Sequence, residues 1–406
     1  MRFELGQQGT KVPKNVYLVS FMGSLSGGFY WPYIPIYAVE MGASYSQIGL
    51  VASISNAAPN VFQPLWGYLS DRMFKRVLFI SLGYIVGGTI ILFFTKARDP
   101  ITYILLLALS MIFYSAVPPA WNSYIGSFFK QRERGRGIGK IAGIGWIGNI
   151  IGASVSGMAM TLLIGEQNIN QYVLAFSLAG LISITTGLIA LSLRESSADN
   201  DRRKSFSLRV SITENKLFWK LCLIEAFWGM SLSFAWPMFS AAYIVKLHAT
   251  KLEIAVASVI FSITFALSQT YLGYLVDRYG RRKILLITKY VFPIYPLIWF
   301  IAWDVKFVYV ANFIVGISNA LAVVSVLSYI LDITVEEERG SYFAVYNMVM
   351  GFSWFLGSLL GGFIGDLLSK IIDPIGALQM VFLISIFIRI LTAIPYYFIQ
   401  ETLERQ

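Results

Sequence analysis

Two charged residues stand deep inside otherwise apolar stretches of this 406-residue chain, Glu225 and Arg389. At 1.5 Å per helical residue, Glu225 lies about 13 Å past Lys216, and Arg389 about 18 Å before Glu401. Ionisable groups at such depth are costly and mark function by default. A carboxyl group in low dielectric is suited to binding and releasing a proton. Glu225 therefore has three readings: a proton or cationic-substrate site, a structural pair with Arg389 or Lys289, or an interfacial residue. Lys289 is only about 9 Å past Lys283 and is expected to snorkel to the nearer surface.

Other chemistries find little support. One cysteine, Cys222, allows no intrachain disulfide, and one histidine, His248, gives no zinc cluster, so neither metal nor redox cofactor is expected. The run GIGWIG at 143–148 is formally G-x-G-x-x-G, but it sits inside an uncharged stretch with no strand before it, which excludes a dinucleotide site. No Walker-type loop is present, and no nucleophile–base or metal-ligand cluster points to an enzyme.

The elements that must position Glu225 and Arg389 are membrane helices. The chain is 56% hydrophobic and only 13% charged, against about a quarter for soluble domains. Uncharged runs at 15–39, 41–70, 77–95, 101–129, 141–165, 167–193, 254–276, 307–331 and 341–365 each reach the ~17–25 residues a spanning helix needs. Runs at 221–245, 284–303 and 374–400 qualify with one internal charge each, giving an all-α polytopic chain of twelve helices. The first is preceded by about fourteen largely polar residues and is too long for a signal-peptide core, so it is expected to be retained. Of the 32 Lys and Arg, 24 fall on one side when alternate connections are assigned to alternate faces. By the positive-inside bias both termini are expected to be cytoplasmic, in a plasma membrane. The +10 net charge is thus an orientation signal, and no nucleic-acid partner is expected.

The chain also repeats itself. At a shift of 205 or 206 residues, Trp31-Pro32 falls on Trp236-Pro237, Gln63 on Gln269, Gly67 on Gly273 and Asp71-Arg72 on Asp277-Arg278. Glu133-Arg134-Gly135 falls on Glu338-Arg339-Gly340, Gly152 on Gly357, and Gly157 on Gly362. The expected division is a six-helix bundle over 1–193, a polar cytoplasmic linker over 194–216, and a second bundle over 217–406. Parallel six-helix repeats are a transporter architecture with the substrate site at their interface near the midplane.

At these residues the chain resembles the major facilitator superfamily over its whole length. The loop signature G-x-x-x-D-R-x-G-R-R/K appears in the second half as Gly273, Asp277, Arg278, Gly280, Arg281 and Arg282. The first half keeps Gly67, Asp71 and Arg72, with Phe74 and Lys75 where Gly and Arg are expected. The resemblance implies gating latches: Asp71 facing the start of the eleventh helix near Gly340, and Asp277 the start of the fifth near Gly135, holding the cytoplasmic side shut. Gly139, Gly148, Gly152 and Gly157 also match the fifth-helix signature of drug/proton antiporters, but Ala153 replaces its proline and Ser156 one of its glycines.

The resemblance further implies that the first, fourth, seventh and tenth helices line a cavity. Its candidate substrate residues are Tyr30, Trp31, Tyr33, Trp121, Asn122, Glu225, Trp228, Trp236, Asn312 and Asn319, with Glu225 and Arg389 as proton-coupling residues. Glu225, Trp228, Leu232 and Trp236 follow helical spacing and are expected to share one face. The fourth helix lacks the buried arginine that many proton-coupled members carry. The implied protein is a monomeric secondary transporter in the bilayer, exporting small amphipathic or cationic compounds against protons. A symporter or uniporter for a neutral metabolite such as a sugar is the alternative, and a non-transporting receptor a minor one.

Overall fold

A computed structural model describes residues 12–73, 75–129, 134–164, 171–195, 214–335 and 338–403. They form twelve helical passes in two six-helix bundles, with no strand among the described residues. The first bundle comprises α1 (Lys14–Tyr30 continued by Ile34–Glu40), α2 (Tyr45–Met73), α3 (Arg76–Ile91), α4 (Pro100–Tyr114 and Val117–Gly126), α5 (Arg134–Ala159) and α6 (Gln171–Ala190). The second comprises α7 (Lys216–Ser233 and Trp236–Val245), α8 (Lys251–Tyr271), α9 (Arg281–Val291 and Ile294–Ile301), α10 (Val305–Asp332), α11 (Arg339–Ser369) and α12 (Pro374–Ala393). Among the described residues ten of these, α3 to α12, are long and apolar enough to cross a membrane unaided. An even number of passes returns both ends of the chain to one face, here termed the linker face; the other is the distal face.

The Trp-Pro pairs sit at breaks, as their chemistry requires. Proline offers no N–H to the carbonyl four residues back and cannot continue a regular ladder. Trp31–Tyr33 is a 3-10 turn inside α1, and α7 breaks after Ser233 to restart at Trp236. Small residues set how close the helices lie. Gly148 and Gly152 of α5 meet the backbone carbonyls of Phe21 and Leu25 on α1, and Gly361 of α11 meets that of Phe234 on α7. A side chain at these points would strike backbone, so glycine is what permits the crossing.

The bundles join along two seams at the distal face. In one, Gly49 and Gly351 let α2 and α11 close on each other: a β-carbon at Gly49 would lie 2.7 Å from the Ser358 oxygen, and one at Gly351 2.8 Å from Asn60 Cβ. The Asp366 carboxylate accepts the first amides of α2, Tyr45 N at 2.7 Å and Ser46 N at 3.0 Å. Ser53 Oγ donates to Phe355 O at 2.8 Å. In the other seam, between α5 and α8, Leu252 N donates to Thr161 Oγ1 at 3.1 Å, and Lys251 pairs with Glu40 of α1. At the internal shift of 205, Thr161 and Asp366 are equivalent positions.

Toward the linker face the bundles part. Gly139 and Gly143 lie seven and three residues before Trp146, which touches Phe265 of α8, so they continue the α5 face turned to the other bundle. Beyond the backbone of its own helix, no described atom lies within 4 Å of where a β-carbon on either would stand, and the same holds for Gly340 at the start of α11. The described hydrogen bonds and ion pair between the bundles thus lie toward the distal face, and the linker face is the parted one.

Candidate functional site

Between the bundles, and mostly within the second, lies a cavity of about 350 Å³. Its wall takes Pro32 from α1, Leu232, Trp236, Phe239 and Tyr243 from α7, Ser258 and Phe261 from α8, Phe292 and Tyr295 from α9, Asn312 and Asn319 from α10, and Arg389 from α12. The volume falls in the range of small-molecule pockets, and the wall is aromatic with a few convergent polar groups.

Helix breaks build this wall. Pro237 leaves the Ser233 carbonyl without its helical donor, and Ser358 Oγ supplies one at 3.2 Å. Pro296 likewise cannot donate to the Phe292 carbonyl, which accepts instead from Tyr295 N and from Arg389 Nη1, both at 3.1 Å. Arg389 Nη2 donates to Leu232 O at 2.8 Å, beside the break in α7. One guanidinium thus ties two interrupted helices together. Asn312 is equally committed: its Nδ2 donates to Ala257 O at 3.0 Å, and its Oδ1 accepts from the Tyr295 hydroxyl at 3.1 Å. Trp236 packs on Trp354 with ring centroids 5.9 Å apart.

A second cluster lies toward the linker face, inside the second bundle. Glu225 is the only buried carboxylate among the described residues. Its Oε1 accepts from Lys289 Nζ at 2.9 Å, and its Oε2 from the Tyr346 hydroxyl at 3.4 Å. Both partners of the ion pair are about 2–3% exposed, and the ammonium lies 4.7 Å from the ring centroids of both Trp228 and Tyr396. Aromatic faces on two sides and a carboxylate on a third compensate a lysine taken out of water.

The expected site residues separate accordingly. Trp236, Asn312, Asn319 and Arg389 meet around the cavity; of the expected α7 face Leu232 and Trp236 line it from either side of the break, whereas Glu225 and Trp228, a turn or more toward the linker face, do not. Arg389 bonds carbonyls rather than Glu225, and Lys289 turns inward to the carboxylate instead of snorkelling outward. Tyr30 is buried in a stack with Trp31 and Tyr114, and Tyr33 accepts from Ser156 Oγ at 3.4 Å, both outside the cavity wall. Trp121 packs on Tyr124 and Asn122 is exposed, so the fourth helix contributes nothing to this wall, contrary to expectation. Ser258, Phe239, Tyr243 and Tyr295 were not anticipated; the Pro293 and Pro296 pair in α9 is the sequence signal that marks Tyr295.

The loop signature also has a local explanation. Gly280 takes φ +96°, a conformation that glycine adopts readily, and turns the chain from the short helix Tyr274–Tyr279 into α9. The freed amides of Arg281 and Arg282 donate to the Glu401 carboxylate at 2.9 and 3.2 Å. Arg281 Nε bonds Asp332 at 2.9 Å, and Arg282 Nη2 donates to Tyr397 O at 2.6 Å. Asp277 does not face α5: it pairs with Arg281 at 3.2 Å and is largely exposed. Arg278 lies over the ring of Tyr279, and Arg72 bonds the Tyr68 hydroxyl at 3.2 Å. A β-carbon at Gly67 would meet Pro119 of its own bundle, and one at Gly273 the Gln269 carbonyl. The side chains of Asp71 and Arg134 lie outside the described residues, as does Glu133. With the linker face parted, the described latch residues bond within their own half.

The family model described as the Major Facilitator Superfamily matches residues 16–231 and again 221–406, nearly the whole chain in two halves. The chain belongs to the major facilitator superfamily. As a member of it the protein is an integral membrane transporter of small molecules rather than an enzyme. This transporter is 24% identical over 363 residues to an uncharacterised MFS-type transporter of Methanocaldococcus jannaschii, covering 87% of this chain and 89% of that one. It is also 24% identical over 358 residues to a PmrA-homologue multidrug efflux pump of Lactococcus lactis, covering 86% of each. In fold it is similar to the crystal structure of the nucleoside transporter NupG, with a TM-score of 0.75, 16% identity and coverage of 97% of this chain and 99% of that chain.

Proposed function

We propose that this superfamily member exports amphipathic organic compounds by alternating access, driven by protons that exchange at the Glu225–Lys289 pair. The observation that carries the reading is the aromatic cavity between bundles sealed at one face and parted at the other. A similar multidrug efflux pump adds support. A proton arriving at Glu225 would release Lys289 to its aromatic neighbours and loosen α7 from α9; its departure would restore the pair. The cavity presents no carboxylate among its described lining residues, so the amphipathic part of the expected substrate class is retained and the cationic part is not.

The working unit is taken as a monomer in the plasma membrane, with bundles at 1–193 and 217–406, linker 194–216 and both termini cytoplasmic. The excess of Lys and Arg on the linker face supports that orientation. The uncharged amide of Asn319 in the cavity wall favours a neutral metabolite as the second reading.

Everted vesicles carrying the transporter should accumulate an amphipathic dye when a proton gradient is imposed and lose it on adding a protonophore. The double variant Glu225→Gln/Lys289→Met, which removes both charges of the pair together, should keep substrate exchange and lose accumulation. Gradient-driven accumulation that persists in the variant would sink the coupling assignment.

A further inference from the structure

We propose that the central cavity is built for the anionic group of its substrate, so that the compounds this transporter prefers are amphipathic organic acids held by Arg389. The inference rests on the cavity being the transport site and specifies what that site recognises.

Arg389 is about 1% exposed, forms part of the cavity wall, and takes part in no described salt bridge. A guanidinium carries five N–H donors and remains charged. Two are used on the carbonyls of Leu232 and Phe292; Nε has no described acceptor. Carbonyl dipoles orient the group but do not neutralise it.

The buried acid that might have done so, Glu225, is engaged by Lys289 and Tyr346 and lies outside the cavity wall. The second bundle therefore holds three buried cations among its described residues; Lys251 pairs with Glu40 and Lys289 with Glu225, and the one with no described carboxylate partner is Arg389 at the cavity. In low dielectric that charge attracts an anion and repels a cation strongly.

The rest of the wall fits the same ligand. Asn319 and Ser258 offer polar contacts, while Trp236, Phe239 and Phe261 suit an apolar body. A purely structural arginine, present only to bridge the breaks in α7 and α9, would give the cavity no charge preference.

Binding to the transporter in nanodiscs of zwitterionic lipid, with empty discs as background, separates these cases. The probes are 4-phenylbutyl and 2-naphthyl compounds, each as carboxylate, amide and ammonium. The carboxylate is expected to bind at least about tenfold tighter than its amide in one or both series, and the ammonium weaker than the amide. Arg389→Gln should bring the carboxylate down to the level of the amide, lowering carboxylate binding far more than amide binding. Should that variant fail to fold, Asn319→Asp, which places a carboxylate in the same wall, should cut carboxylate binding selectively.

Equal binding of all three head groups, tighter ammonium binding, no binding, or a parallel loss for carboxylate and amide in Arg389→Gln would overturn the proposal. Asn319→Trp, which fills the cavity, locates the site. If it abolishes binding while head-group preference is absent, the cavity stands and the anion assignment falls. If binding survives it, the cavity itself is not the site and both readings fall.

Discussion

Lys289 Nζ sits 2.9 Å from Glu225 Oε1, across the gap between α9 and α7, in a setting where both side chains are almost wholly withdrawn from solvent. The pair is local to the second bundle: neither residue touches the cavity wall, and Tyr346 of α11 completes the carboxylate's contacts. Removing one member and removing both are therefore different experiments.

Glu225→Gln alone leaves the ammonium buried and unpaired. It is expected to cost about 3–5 kcal/mol, and the further change Lys289→Met should recover most of it. Unfolding followed by detergent titration or thermal melting of the single and double variants checks this. A single variant as stable as the wild type would mean that the aromatic rings over Lys289 compensate its charge alone.

The distal seam makes a second prediction. Asp366→Ala removes a charged acceptor from the first amides of α2, in a contact between bundles that exists only while the distal face is sealed. A cap of this kind is worth about 1–2 kcal/mol, so the population open at the distal face should rise about 5–30-fold. Maleimide labelling of Ser53→Cys, in a Cys222→Ala background that leaves no other thiol, reads the change as a faster rate.

Glycines of α5 should divide by position. Gly152→Leu would drive a side chain into α1 and is expected to cost about 1–3 kcal/mol or more in stability. A β-carbon at Gly139 would stand in open space beside its own helix in the present state, so Gly139→Leu should leave the melting point nearly unchanged. It lies on the face that must approach α8 when the linker face closes, so transport should still fall. Normal transport by Gly139→Leu would place that glycine against lipid.

Asp99 ends the loop before α4 at the distal face, accepting from Thr102 Oγ1 at 2.7 Å and Thr102 N at 2.9 Å. These bonds, the hydroxyl's first, lower its carboxyl below the ordinary aspartate value. A depressed folded-state value adds stability above the unfolded one, about pH 3.9, and that contribution disappears as pH falls through the folded value. Between about pH 5 and pH 3 the wild type should therefore lose more melting temperature than Asp99→Asn, and equal slopes would show the cap to be idle.

Much of the fold was legible because its signals are local. Uncharged runs of spanning length give the helices, and rare side chains in register, Trp31-Pro32 against Trp236-Pro237, give the duplication. The site was less legible because depth along a helix says nothing about direction around it. Glu225 and Lys289 sit at similar depths from their segment ends, which allows pairing, but the facing of α9 toward α7 is a tertiary fact. Arg389 was picked out as buried, whereas its partners are backbone carbonyls beside the breaks in α7 and α9, and a carbonyl carries no residue-type signal. Trp121 and Asn122 of the fourth helix, expected from the family, do not line the described cavity, which lies mostly in the second bundle.

Thr161 and Asp366, equivalent across the internal repeat, both receive amides from the start of a helix in the opposite bundle, one with a hydroxyl and the other with a carboxylate. The duplicated architecture thus specifies where an acceptor must stand and leaves its charge free to diverge. The α2–α11 seam has become ionic at its helix cap, whereas the α5–α8 seam keeps a neutral cap and takes its charge from the neighbouring Glu40–Lys251 pair. The two halves of the repeat thus fasten the same closure with different chemistry.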